Sequence, residues 1–226
     1  MLGKTDNARF WDRAARKYTA GPIKDMPGYE RTLDRVSHFI SSSDTVLELG
    51  CGSGATALRL APSVGRMVAT DVSSGMIAIA REKAAARACQ NVTFSVADVE
   101  HAPGPDGAFD AVLAFNLLHL IPDRPSALAH VCRLLKPGGL FISKTHCLTE
   151  LNPLIRLAVP ILRFAGMAPS VSFFSAPELE AGITDAGFAI IERDRHGSGP
   201  KDPRLFIVAR KVGLEPRRHG SPRSGA

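Results

Sequence analysis

The chain has 226 residues, 45% of them apolar and 22% charged, with a net charge of +6. That length supports one domain with small additions and a sizeable core, and no run of eighteen uncharged apolar residues offers a membrane span. The positive surplus is uneven: residues 192–226 hold nine Lys/Arg against four Asp/Glu, and the rest is nearly neutral.

In chain order, Asn7 to Ile40 reads as two helices around the loop Gly21-Pro22-Ile23-Lys24-Asp25. Val46-Leu47-Glu48-Leu49 then reads as a buried strand. Gly50, Gly52 and Gly54 force a tight turn, and Ala55 to Leu60 begins a helix. Glycines in such a turn let the backbone pass close to something bulky where a Cβ would block the approach. The N–H groups at the helix start are expected to cradle a ligand rich in acceptors. Met67 to Asp71 is a second strand, and its closing carboxylate sits at a spacing from Gly50 that suits a grip on a ribose. These residues point to an adenosine-containing cofactor.

Gly50, Gly52 and Ala55 also satisfy the dinucleotide pattern, so the glycines do not choose the cofactor. Glu48 does, since a carboxylate beside the loop repels a pyrophosphate and suits an ammonium or hydroxyl. With Glu48 and Asp71 ending neighbouring strands, two negative groups are expected to face the ligand. That favours S-adenosylmethionine, which carries an ammonium, a sulfonium and a ribose and no phosphate.

Ser73 caps a helix over Gly75 to Ala88, with Met76, Ile77, Ile79 and Ala80 on its apolar face. A third strand runs Val92 to Val96 and is followed by Asp98. A fourth runs Phe109 to Phe115 and is closed by Asn116-Leu117-Leu118-His119. Pro125 to Leu135 is a helix stopped by Lys136-Pro137-Gly138-Gly139, and Leu140 to Thr145 is a fifth strand. Pro177 to Ala186 is a late helix, followed by strands near Phe188–Glu192 and Leu205–Arg210. Such alternation predicts an α/β fold, a mostly parallel sheet with helices on both faces. The segment 147–175 interrupts the alternation after the fifth strand. It is expected to form an apolar lid over the ligand edge, with Arg156 and Arg163 on one face and Phe173 and Phe174, just after it, adding an aromatic wall to the pocket.

Cys51, Cys89, Cys132 and Cys147 show no Cys-x-x-Cys pairing. Reduced thiols in a cytoplasmic protein without a metal site fit that spacing. The aperiodic basic ending reads as a disordered, solvated tail, so residues 1–211 are taken as the domain and 212–226 as the tail. No nucleic-acid partner is expected, and the sequence leaves the oligomeric state open.

From Phe10 to Lys211 the chain resembles a class I S-adenosylmethionine-dependent methyltransferase, of the small-molecule group that includes quinone-biosynthesis enzymes. The resemblance rests on the glycine loop, Asp71, Asp98, Asn116 to Asp123, and Leu134-Leu135-Lys136-Pro137-Gly138-Gly139, in that order. It implies a Rossmann-like seven-stranded sheet with the last strand antiparallel. It also implies roles. Gly50, Cys51, Gly52 and Gly54 would approach the methionine and ribose through the backbone, and Asp71 would hold both ribose hydroxyls. Val72 and Met76 would pack on the adenine, Asp98 and the Val99 backbone would read its edge, and Asn116 would lie near the methionine. The opening Phe10-Trp11-Asp12 to Tyr18 resembles the family's N-terminal helix, with Tyr18 over the cofactor or, with Trp11, a simple packing stripe.

Methyl transfer from a sulfonium needs alignment more than a nucleophilic side chain. His119 and His146, both after strands that end at the ligand edge, are the candidate bases if the acceptor must lose a proton. The expected acceptor is a small hydrophobic or aromatic molecule, its reacting atom left open. A nicotinamide-dependent reductase is disfavoured because no Tyr-x-x-x-Lys pair is present. A non-catalytic cofactor-binding subunit is the alternative.

Overall fold

A computed structural model describes residues 2–150, 159, 162, 167–199 and 202–213, with side chains from Asp6 onward. The strands are β1 (Thr45–Leu49), β2 (Arg66–Asp71), β3 (Val92–Val96), β4 (Phe109–Phe115), β5 (Leu135–His146), β6 (Phe188–Asp194) and β7 (Arg204–Lys211). Among the described residues the helices are α1 (Leu2–Ala20), α2 (Met26–Ser37), α3 (Ala55–Leu60), α4 (Ser74–Ala86), α5 (Arg124–Leu134) and α6 (Ala176–Asp185).

All seven strands join one sheet in the order β3-β2-β1-β4-β5-β7-β6. β1 to β5 pair in parallel, and β7 runs antiparallel to both β5 and β6. The expected architecture is therefore present. Successive strand residues face opposite sides, and both sides are covered. Leu47, Leu49, Val112 and Phe141 pack with Leu128 of α5 and Leu179 and Ile183 of α6. Val46, Met67, Ala69 and Leu113 pack with Leu33 and Val36 of α2, Ala57 of α3, and Ile77 and Ala80 of α4. Burial on both faces explains why β1, β2 and β4 read as continuous apolar runs.

One boundary differs. β5 begins at Leu135, not Leu140: Leu135 pairs with Phe109, then the register jumps to Ala111–Leu140. The extra residues bulge out, with Gly138 at φ +73°. Lys136 Nζ binds Asp110 Oδ1 at 2.7 Å and anchors the bulge to β4. The helix starts follow the local sequence. Ser73 Oγ accepts the Met76 N–H at 3.1 Å, Asp123 caps α5, and Ser175 with Glu178 forms a reciprocal cap on α6.

Most of the apolar lid segment, with Arg156 and Arg163, lies outside the described residues, as does the basic tail from 214. Phe174 lies in the core, with the Arg124 guanidinium 4.0 Å from its ring centre. It is not part of a cavity wall, a correction to the expectation. All four cysteines are unpaired thiols. Among the described residues no helix is long and apolar enough to cross a membrane.

Candidate functional site

The strand order reverses between β1 and β4, and open α/β sheets open a crevice at the carboxyl ends of the strands at such a point. A cavity of about 1290 Å³ lies there. Its wall includes Tyr18, Glu48, Gly50, Cys51, Gly52 and Asp71. Val72, Met76, Asp98, Val99 and Asn116 also line it, and so do His119 and His146. Gly54 is set behind this wall, at the start of α3.

The three loop glycines have φ of +65°, +53° and +73°, the left-handed region that glycine enters without steric cost. Their neighbours differ. A Cβ on Gly50 would stand 2.7 Å from Leu117 Cδ1, and one on Gly54 would stand 2.8 Å from the Phe94 ring. One on Gly52 would meet nothing within 4 Å. The bulky object in the Cβ direction of Gly50 and Gly54 is thus the protein itself; of the three, only Gly52 would point a Cβ into open space.

Within the loop itself, most amides are used by the protein. Cys51 N–H donates to Thr70 O at 2.9 Å, and Gly54 N–H donates to Cys51 O at 3.0 Å. Gly52 N–H donates to Asp71 Oδ2, and Ser73 N–H to Asp71 Oδ1, both at 2.9 Å. Asp71 therefore ties the β1 and β2 loops together as well as lining the cavity. Burial raises its pKa, against the pull of those two amides. Three of the loop amides are thus spent on the protein itself.

Glu48 has the opposite need. It is 2% exposed, and its Oε2 is buried with no hydrogen-bond partner. Burial and then the nearby Asp71 carboxylate push its pKa up to about 8, while the Ala57 N–H pulls it down. Burial and the Asp71 carboxylate thus both work against a negative charge on Glu48. An unpartnered buried carboxyl lining a cavity fits a ligand ammonium, since a paired cation restores the ionised form. S-adenosylmethionine carries that group.

At the far side of the cradle, Asp98 Oδ1 accepts the His101 N–H at 2.9 Å, holding the Val99 turn in place. Asn116 sits at φ +52°, a region Asn tolerates better than most residues. Its N–H donates to Lys144 O at 2.7 Å, linking the ends of β4 and β5. Tyr18 is 63% exposed at the rim, and Trp11 meets it edge-on at 5.4 Å between ring centres.

His119 and His146 come together with ring centres 5.1 Å apart. His119 Nδ1 lies 3.1 Å from Thr145 Oγ1. Burial, then the neighbouring His146, pulls its pKa down to about 3. So weak a base is poorly matched to proton abstraction near neutral pH. His146 is lowered chiefly by burial, and its Nδ1 is buried without a partner.

Three residues were missed by sequence reasoning. Asp12 of α1 accepts Ser73 Oγ at 2.7 Å and Gly75 N–H at 2.9 Å, so it caps α4 from another helix. Those bonds lower its pKa, the Gly75 amide foremost. Asn7 donates to Leu120 O at 3.2 Å and accepts Ser170 N–H at 2.7 Å. Lys144 lines the cavity from β5, and a lysine inside the apolar run Leu140-Phe141-Ile142-Ser143-Lys144 was a signal available to find it.

Residues 46–139 match a family described as a methyltransferase domain. The ubiquinone/menaquinone biosynthesis C-methyltransferase of Francisella tularensis subsp. novicida is 34% identical over 104 residues, 44% of this chain and 42% of that protein. The 27-O-demethylrifamycin SV methyltransferase of Amycolatopsis mediterranei is 34% identical over 113 residues, 48% of this chain and 42% of that protein. The match thus spans less than half the length of these curated relatives. The YcgJ protein of Bacillus subtilis shares the fold, with a TM-score of 0.67 at 21% identity over 81% of this chain and 99% of that one. Residues 46–139, less than half of the chain, thus resemble a methyltransferase domain, and the orphaned Glu48 carboxyl in the cavity wall fits a ligand that carries an ammonium.

Proposed function

We propose that the protein transfers a methyl group from S-adenosylmethionine to a small, largely apolar acceptor. The carrying observation is the cavity itself. At about 1290 Å³ it exceeds the roughly 300–1,000 Å³ typical of a single-ligand pocket. It runs from the donor cradle at Glu48 and Asp71 to a second arm at Lys144, His146 and Arg204. A subunit that only bound cofactor would have no need of that arm.

In this reading Glu48 holds the ligand ammonium, Asp71 the ribose hydroxyls, and Gly52 gives the ligand room to approach the loop. Val72 and Met76 supply the apolar wall for the adenine, with Asp98 and the Val99 backbone at its edge. Asn116 closes the methionine end, and α1 with Tyr18 forms the rim. Bound cofactor supplies an activated methyl on a sulfonium, with a neutral thioether as leaving group. The protein's task is alignment and exclusion of water, and orientation of this kind accounts for about 7–11 kcal/mol in favourable cases.

The test is twofold. S-adenosylhomocysteine at about a hundred times its Kd stabilises a folded protein by roughly 2.7 kcal/mol, which for a chain of this size raises Tm by about 5–10 °C. No shift at millimolar ligand removes the cofactor assignment. Labelled S-adenosylmethionine incubated with small aromatic and isoprenoid acceptors should then yield labelled product, and failure across a broad metabolite extract counts against catalysis.

A further inference from the structure

Lys144 is out of place for a structural residue. It is 5% exposed, and its cross-strand partners in the sheet are Phe115 and Phe206. Its Nζ donates to Thr32 Oγ1 at 2.8 Å and reaches Gly28 O at 3.4 Å, both on α2. Among the described residues no carboxylate lies within ion-pair distance of it. The charged groups around it are largely committed to one another. Arg204 binds Asp202 Oδ1 at 2.6 Å and Asp25 Oδ2 at 2.9 Å, and Arg31 donates to His196 O at 2.8 Å. His146, two residues along β5 on the same face, presents an unpartnered Nδ1. His196, from beyond β6, is 6% exposed and feels the Lys144 charge.

Asp25 and Asp202 line the cavity together with Lys144 and Arg204, but both carboxylates bind Arg204, and Lys144 is left with hydroxyl and carbonyl acceptors alone. A buried ammonium without an ion-pair partner is costly unless a ligand supplies one. Burial, then the Arg204 guanidinium, lowers the Lys144 pKa to about 8, against Asp202 and Asp25.

We infer that Lys144 is the acceptor-site base and anion partner, and that the acceptor carries an acidic hydroxyl, a phenol or an enol, placed against its Nζ. This rests on the methyltransferase reading above and names the acceptor class for it. The neutral amine takes the hydroxyl proton, leaving an oxyanion held by the new ammonium. An oxygen lone pair then forms the O–CH3 bond while the S–CH3 electron pair returns to sulfur. The ether leaves neutral, and Lys144 returns its proton to solvent.

The test uses 4-nitrophenol, whose ionised form is yellow, with full-length protein and saturating S-adenosylhomocysteine at pH 6. Wild type should bind the dye in its yellow form, with an apparent dye pKa at least one unit below that in buffer. Lys144→Met should lose this shift. Lys144→Arg, a permanent cation, should keep the yellow form of this acidic dye yet lose at least ten-fold in kcat on a turned-over phenol of pKa about 10, which the cation alone does not ionise and arginine cannot deprotonate. A structural role alone predicts no dye shift in any of the three proteins, and that result overturns the inference. So does an equal shift in wild type and Lys144→Met. If S-adenosylhomocysteine still raises the Tm of these proteins, the failure belongs to Lys144 alone; loss of that response in wild type removes the methyltransferase reading as well.

Discussion

Glu48 offers the sharpest measurement, because its burial ties stability, cofactor and pH together. Its carboxyl moves from an ordinary 4.5 to about 8 in the folded protein. At about 1.36 kcal/mol per unit, the displacement is worth on the order of 3–5 kcal/mol. The folded value lies above the unfolded one. The associated stability is therefore complete below about pH 4.5 and is lost as pH rises to about 8. Replacing Glu48 with Gln removes the titration while keeping the shape. Urea unfolding of both proteins at pH 5, 7 and 9 should show wild type losing several kcal/mol relative to Glu48→Gln across that range. Asp71, also raised by burial, is coupled to Glu48, so the comparison reads the titration of the pair. A ligand ammonium beside Glu48 favours the ionised form, so S-adenosylhomocysteine binding at pH 7 should expel a proton. Calorimetry in buffers of different ionisation enthalpy reads that release, and Glu48→Gln should abolish it. Parallel pH–stability curves, or an unchanged proton count, would refute the reasoning.

Other residues predict separable effects. Asp71→Ala should weaken S-adenosylhomocysteine about ten-fold or more, given roughly 1.5–3 kcal/mol for a hydrogen bond to a charged group. It should also lower Tm, because two loop amides lose their acceptor; unchanged affinity would remove the ribose role. Gly54→Ala should destabilise the fold by several kcal/mol, its Cβ meeting the Phe94 ring, whereas Gly52→Ala should cost only about 1 kcal/mol of backbone strain but cut cofactor affinity; thermal melts with ligand titrations check both. His119, with its pKa drawn down to about 3, should show no imidazole titration by NMR between pH 5 and 8.

The sheet and the glycine-loop side of the cavity were legible in the sequence because local signals carried them. The β1–glycine–α3 turn, the Ser73 cap and the carboxylate ending β2 each declare themselves within a few residues. What escaped is made by contacts across the chain. Gly50 needs Leu117 and Gly54 needs Phe94, partners no spacing rule supplies. Asp12 finds its donors sixty residues on, at Ser73 and Gly75. The charge state of Glu48 depends on a burial that a carboxylate's sequence position does not reveal. The start of β5 was misplaced because a bulge carries the strand past a Pro-Gly-Gly signal that locally reads as a stop.

The first helix is pinned at two points five residues apart. Asp12 clasps the α4 end, beside the donor cradle, and Asn7 clasps Leu120 and Ser170, on the acceptor approach. A single rigid rod thus spans both chambers. In the proposed reading, a ligand at the glycine-loop end of the cavity and one at the Leu120 end would share this one helix as a wall.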